Sequence, residues 1–205
     1  MSTIPQVSYR IGAPDHECRY PVYVHAGGPE RLAGTIYRFH RVWYAQPVGL
    51  DVEIRIADAS KGDRTPLSLA AAQYLADEVK AGRIIPQAPV EDSTAAPTLL
   101  MGPAPLLHPR LKINETNVAS AHRAWKGVNL HLWRPLGGYP GADNPWALQC
   151  LVPGCEWWGP RYWSHLRGRN GNPPSTHRHD RTDGKPGTGC AGDAAVRALI
   201  PAYHR

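Results

Sequence analysis

Between residues 150 and 190 the chain carries Cys150, Cys155, His165, His177, His179 and Cys190, three of its four cysteines and three of its ten histidines. Such a stretch is constrained less by periodicity than by convergence, because the ligands of one tetrahedral ion must all reach the same point. Cys150-Leu-Val-Pro-Gly-Cys155 places two thiols with four residues between them across a Pro-Gly turn. That spacing suits a tight knuckle presenting both sulfurs to one Zn²⁺.

The surroundings suggest a small framework for the knuckle. Trp146–Cys150 and Glu156–Trp158 can form hairpin arms, and Pro160 can open a short helix that carries His165 and ends at Gly168. Hairpin, paired cysteines and helical histidine together resemble a degenerate C2H2 zinc finger over about 30 residues. The resemblance implies Cys150, Cys155, His165 and His177 as zinc ligands. Two spacings depart from the family: nine residues separate Cys155 from His165, and eleven separate His165 from His177. The second histidine must therefore return from the loop after Gly168 and not from the helix. An alternative set keeps both knuckle thiols and takes His177 or His179 with Cys190. Buried thiols with solvated histidines, and no metal, are the plainest competing explanation.

A weaker resemblance overlaps the same residues. His177, His179, Asp180, Thr182, Gly184, Gly187 and Cys190 echo the metal-and-catalysis run of the endonuclease VII branch of the His-Me nucleases. Cys150 and Cys155 stand in for that family's upstream pair. The resemblance implies His177 or His179 as general base and Asp180 on a divalent ion, Mg²⁺ by expectation. No acidic residue directly precedes either histidine, and Asp183 is inserted. The expectation is accordingly a non-catalytic protein, with the nuclease as its alternative.

Charge points to a partner class. Residues 1–100 carry 10 basic and 11 acidic side chains, and residues 101–205 carry 13 and 6. A basic surplus in the half that holds the metal cluster favours nucleic acid, DNA or RNA, through phosphate contacts. Arg161, Arg167 and Arg169, on or just after the expected helix, are the candidate nucleic-acid contacts. Eighteen arginines against five lysines also fit the codon bias of a GC-rich genome, which needs no polyanion. Six of the seven tryptophans lie from Trp125 to Trp163 and are expected to pack as the core of a small domain. Should they instead face outward, a protein partner is implied, and the zinc would serve an adaptor.

Twenty-one prolines and 20 glycines exclude long helices and leave many loops. The expected class is α+β in three parts: a small N-terminal α+β unit over 1–85, a Pro/Ala-rich linker over 86–109, and an irregular, basic, Trp-rich zinc module over 110–205. In the first part strands are expected at Tyr20–Val24, Thr35–Tyr44 and Val52–Ile56. A helix is expected from about Pro66 to Ala81, capped by Thr65 and closed by Gly82. In the last part a helix is expected to end at Gly127, followed by a strand over Val128–Leu132. No Gly-rich phosphate loop or nucleophile-elbow motif occurs. No window has the roughly 18 apolar residues of a membrane span, so the expected setting is cytoplasmic, with no membrane partner.

Overall fold

In a computed structural model, residues 7–56, 66–89, 104–168, 171, 174, 178–179 and 198–200 are described. The chain divides into two compact units, Met1–Thr94 and Ala95–Arg205. It is α+β, with an antiparallel sheet in each unit. Among the described residues, no helix is long and apolar enough to cross a membrane.

The first unit is a five-stranded meander covered by one helix. Its strands are β1 (Ser8–Ile11), β2 (Tyr20–His25), β3 (Arg31–Phe39), β4 (Val42–Pro47) and β5 (Ile54–Arg55), paired in chain order. The single strand expected over Thr35–Tyr44 is in fact a hairpin. His40 and Arg41 both adopt positive φ, 47° and 67°, and pair Phe39 with Val42 across a two-residue turn. Such turns are commonly signalled by Asn-Gly, and His-Arg gives no such signal. Of Val52–Ile56, only Ile54–Arg55 forms a strand, opposite Ala45 and Tyr44.

Helix α1 (Leu67–Lys80) lays Ala71, Ala72, Leu75 and Ala76 on Val22, Val24, Ala33, Ile36 and Ala45. Small side chains on the helix let it approach the sheet closely. Pro66 is the N-cap residue and lacks a side-chain cap, while Thr65 lies outside the described residues. At the other end Gly82, at φ 72°, closes a Schellman motif: its N–H donates to Val79, and that of Arg83 to Glu78.

Both described ends of the expected linker join the flanking units. Gln87 exchanges two backbone hydrogen bonds with Leu32, of 2.9 and 3.0 Å. In the second unit Tyr139 donates to the Leu106 carbonyl and accepts from the His108 N–H, both at 3.0 Å. A side chain at Gly138 would collide with the Leu107 backbone, so glycine permits this approach.

The second unit packs α2 (Glu115–Leu130) against a three-stranded meander of β6 (Trp133–Pro135), β7 (Trp146–Cys150) and β8 (Trp158–Arg161). Asn114 caps α2, its side chain accepting from Asn117 N–H at 2.8 Å. The helix runs past Gly127, so Val128–Leu132 is not a strand. Val128 completes an apolar stripe with Ala121 and Ala124, and Gly127 is retained because the Trp163 ring occupies the space of a side chain there. The last turn of α2 leads to Leu132 at φ 54°, which reverses the chain into β6.

Pro160, expected to open a helix, lies instead in edge strand β8 opposite Ala147. An edge strand tolerates the missing N–H. Helix α3 is consequently one turn, Trp163–Leu166. Trp133 and Trp146 are fully buried, and Trp125, Trp157 and Trp163 pack against the same core. Trp146 and Trp125 donate to the carbonyls of Gly137 and Leu106, which lets large rings fill the interior without stranding those N–H groups.

Candidate metal centre

The β7–β8 connection builds the site. Cys150 ends β7, pinned by its N–H on the Trp157 carbonyl at 2.9 Å, and Leu151 N–H donates to Leu132 at 2.9 Å. The chain then turns: Cys155 N–H reaches back to the Val152 carbonyl at 3.0 Å, and Gly154 takes φ 77°. Val152 N–H in turn bonds the Cys150 sulfur. A knuckle of this kind turns both thiols toward one side.

His179 completes the group. One donor atom each from Cys150, Cys155 and His179 lie within 4.8 Å of one another, and Cys155 Sγ is 3.2 Å from His179 Nε2. A tetrahedral zinc with Zn–S of about 2.3 Å and Zn–N of about 2.0 Å holds its donors roughly 3.5–3.8 Å apart. The donors therefore stand near the spacing such an ion imposes, with only a small adjustment required.

Aromatic and cationic neighbours fix the histidine and the first thiol. The His179 ring lies flat on Trp157, with centroids 4.5 Å apart and planes 2° from parallel. Trp157 can lie across β8 because Gly159 has no side chain to displace it. Beneath them is Trp133, edge-on to Trp157 at 5.9 Å. Arg178 is buried, with Nε 3.3 Å from Cys150 Sγ and its two terminal nitrogens donating to the carbonyls of His131 and Leu132, each at 2.7 Å. Its guanidinium also sits 4.0 Å above the Trp133 ring centre.

These neighbours set the charge of Cys150. Burial pushes its thiol pKa up, but hydrogen bonds from His179, Val152 N–H and Arg178, with the Arg178 charge, outweigh burial and bring it to about 6. The thiolate is thus the resting form at neutral pH, which is the form a metal takes. Cys18 in the first unit is the opposite case. Burial, then Asp15 and Glu17, hold its thiol protonated far above the usual range. That environment disfavours ligation.

Of the residues expected on sequence grounds, Cys150 and Cys155 are brought together. His165 is not in the group: it lies on α3 with an exposed side chain, its ring 5.3 Å from Tyr162. His177 and Cys190 lie outside the described residues. His179, expected as a zinc ligand only in the alternative set, is present. Among the expected basic contacts, Arg161 turns inward, its guanidinium 5.2 Å from the Trp157 ring centre and 5.8 Å from that of Trp133. Arg167 is exposed, and Arg169 lies outside the described residues.

Arg178 was not singled out on sequence grounds and figured only within the basic His-Arg-His run beyond the short helix. Its only signal is a position between two histidines, which reads equally as a solvated basic loop. Arg123 and Lys126 on α2 were absent from the sequence expectations. Both are exposed, and Arg123 shares a neighbour with Arg167: burial raises the Tyr139 hydroxyl pKa, while Arg167 and Arg123 both lower it and Asp143 raises it. Helix α2 therefore lends basic residues to the surface that α3 leads into.

No family model, no curated protein and no solved structure matches this chain.

Proposed function

We propose that the second unit is a zinc-binding module in which the ion is structural, and that its exposed basic face, Arg123, Lys126 and Arg167, contacts nucleic-acid phosphates. The observation carrying the zinc reading is the convergence of Cys150, Cys155 and His179 within 4.8 Å. Two thiolates and an imidazole form a soft donor set suited to zinc. Burial supports a structural ion. Cys150 is 1% and His179 3% exposed, whereas a catalytic zinc needs a position open to substrate.

Like a finger, the module carries its cysteines on a hairpin ahead of a short helix, but its histidine comes from the segment beyond that helix. In this reading His179 is a ligand, which speaks against the nuclease alternative with His179 as base. A general base must reach the proton it removes, and this Nε2 faces the Cys155 sulfur. The basic face supports a polyanion partner through charge alone. One turn of α3 is too short to read bases, so phosphate contact is the expected mode.

The test uses the purified full-length chain. One zinc per chain by mass spectrometry is expected, lost in Cys150→Ser, Cys155→Ser and His179→Ala and kept in His165→Ala. Zinc that survives His179→Ala, or is absent from the wild type, overturns the ligand assignment. For the second part, anisotropy with short DNA and RNA duplexes should show binding that weakens with salt. Arg123→Ala and Arg167→Ala should each reduce the log–log salt slope by about 1. Binding to neither duplex would leave a zinc-stabilised protein adaptor.

A further inference from the structure

The two sulfurs of the knuckle stand where a covalent bond could join them. Cys150 and Cys155 bound one short turn, drawn tight by the Cys155 N–H bond to the Val152 carbonyl at 3.0 Å. Their Sγ atoms lie within 4.8 Å of each other, a gap that rotation about each Cα–Cβ bond narrows toward the roughly 2.05 Å of a disulfide. Access separates the pair. Cys150 is 1% exposed, whereas Cys155 is half-buried. An oxidant arriving from solvent therefore meets Cys155 first, with Cys150 behind it as the second sulfur. Cysteine oxidation follows thiolate character and exposure, and a metal-bound thiol is already deprotonated.

The same sulfurs anchor the later chain. His179 Nε2 is 3.2 Å from Cys155 Sγ, and Arg178 Nε is 3.3 Å from Cys150 Sγ. An ion on all three donors ties the knuckle to a residue 24 positions beyond Cys155, whereas a Cys150–Cys155 bond closes only its own turn. A cross-link that spans more chain restricts the unfolded state more. Exchanging the ion for the disulfide thus trades a long constraint for a short one.

Resting on the zinc reading above, we propose that Cys150 and Cys155 form a reversible oxidation site for peroxides, and that closing their disulfide expels the ion. The Cys155 thiolate attacks one oxygen of hydrogen peroxide, the O–O bond breaks, and hydroxide leaves with the bonding pair, which gives a sulfenic acid. The Cys150 thiolate then attacks that sulfur, the S–O bond breaks, and a second hydroxide leaves. Together the sulfurs give up two electrons, the peroxide takes them, and two protons from solvent turn the hydroxides into water. Zn²⁺ loses both thiolates of the described set, and its affinity falls with them. A dithiol reverses the bond by exchange.

The test treats the zinc-loaded full-length protein with a few equivalents of hydrogen peroxide. A chromophoric chelator reads the released zinc, and mass spectrometry after alkylation maps the cysteines. Loss of the ion in step with a Cys150–Cys155 disulfide is expected, as is recovery of zinc binding after dithiothreitol. Zinc retained under peroxide, a disulfide to Cys190, or irreversible sulfinic acid in place of the expected bond would each overturn the inference while leaving the zinc reading standing. A reduced protein that holds no zinc would sink both. Calorimetry then compares the two cross-links: the second unit of the oxidised protein should melt below that of the zinc-loaded one. An equal or higher Tm would make the disulfide a replacement staple and overturn the exchange of a long constraint for a short one.

Discussion

Cys150 and Cys18 show how neighbours, and not burial alone, decide what a thiol can do. Both are almost fully enclosed. Around Cys150 the imidazole of His179, the Val152 N–H and Arg178 supply hydrogen bonds and a positive charge that outweigh burial, so its thiol ionises near 6. Around Cys18 the charged neighbours are carboxylates and the proton stays. For the metal-free protein this gives a pH dependence with a definite sign. Cys150 ionises lower in the folded chain than in the unfolded one, where the usual value is 9.0. Between those limits the unfolded chain holds more protons, so stability rises with pH. Its contribution is complete above about 9 and lost as pH falls through about 6. Calorimetry on metal-free protein should therefore show the second unit's Tm climbing over that window. The climb should flatten in Arg178→Met, which removes one of the donors, and an unchanged slope would refute this account of the thiolate.

At the scale of elements, legibility followed local chemistry. Helix α1 was readable because its stripe and Gly82 terminator are local signals, and β7 because the knuckle defines its end. The β3–β4 turn was not readable, because His40 and Arg41 occupy left-handed backbone without the residues that favour it. Converting them to Asn-Gly should relieve about 1–2 kcal/mol per left-handed position and raise the first unit's Tm. No gain would mean that the native side chains compensate the strain locally. The end of α2 was missed for a tertiary reason, since Gly127 reads as a terminator until Trp163 is seen in its place. Gly127→Ala improves helix propensity by roughly 1 kcal/mol, yet the overpacking it forces costs typically 1–3 kcal/mol. Urea denaturation should register a net loss of stability. His179 was legible only as one of several histidines, because what selects it is stacking on Trp157, a contact across 22 residues that no spacing encodes.

On the scale of the whole molecule, the two units differ in what closes them. The first buries alanines and aliphatic residues between α1 and a five-stranded sheet, a core complete in itself. The second surrounds buried tryptophans with short strands, and its β7–β8 connection meets the later chain at Cys155, Arg178 and His179. An ion there cross-links segments that lie far apart in the chain, and its binding free energy becomes folding free energy. Calorimetry of the full chain should then resolve two transitions with separate sensitivities. A strong chelator should lower the one belonging to the second unit and leave the other in place. Leu75→Ala, which empties the first core at a fully buried position, should cost about 2–5 kcal/mol and lower only the chelator-insensitive transition. If chelation moved both transitions equally, the ion would be stabilising the chain as a whole, and the separation of the two cores would not be a separation of stability.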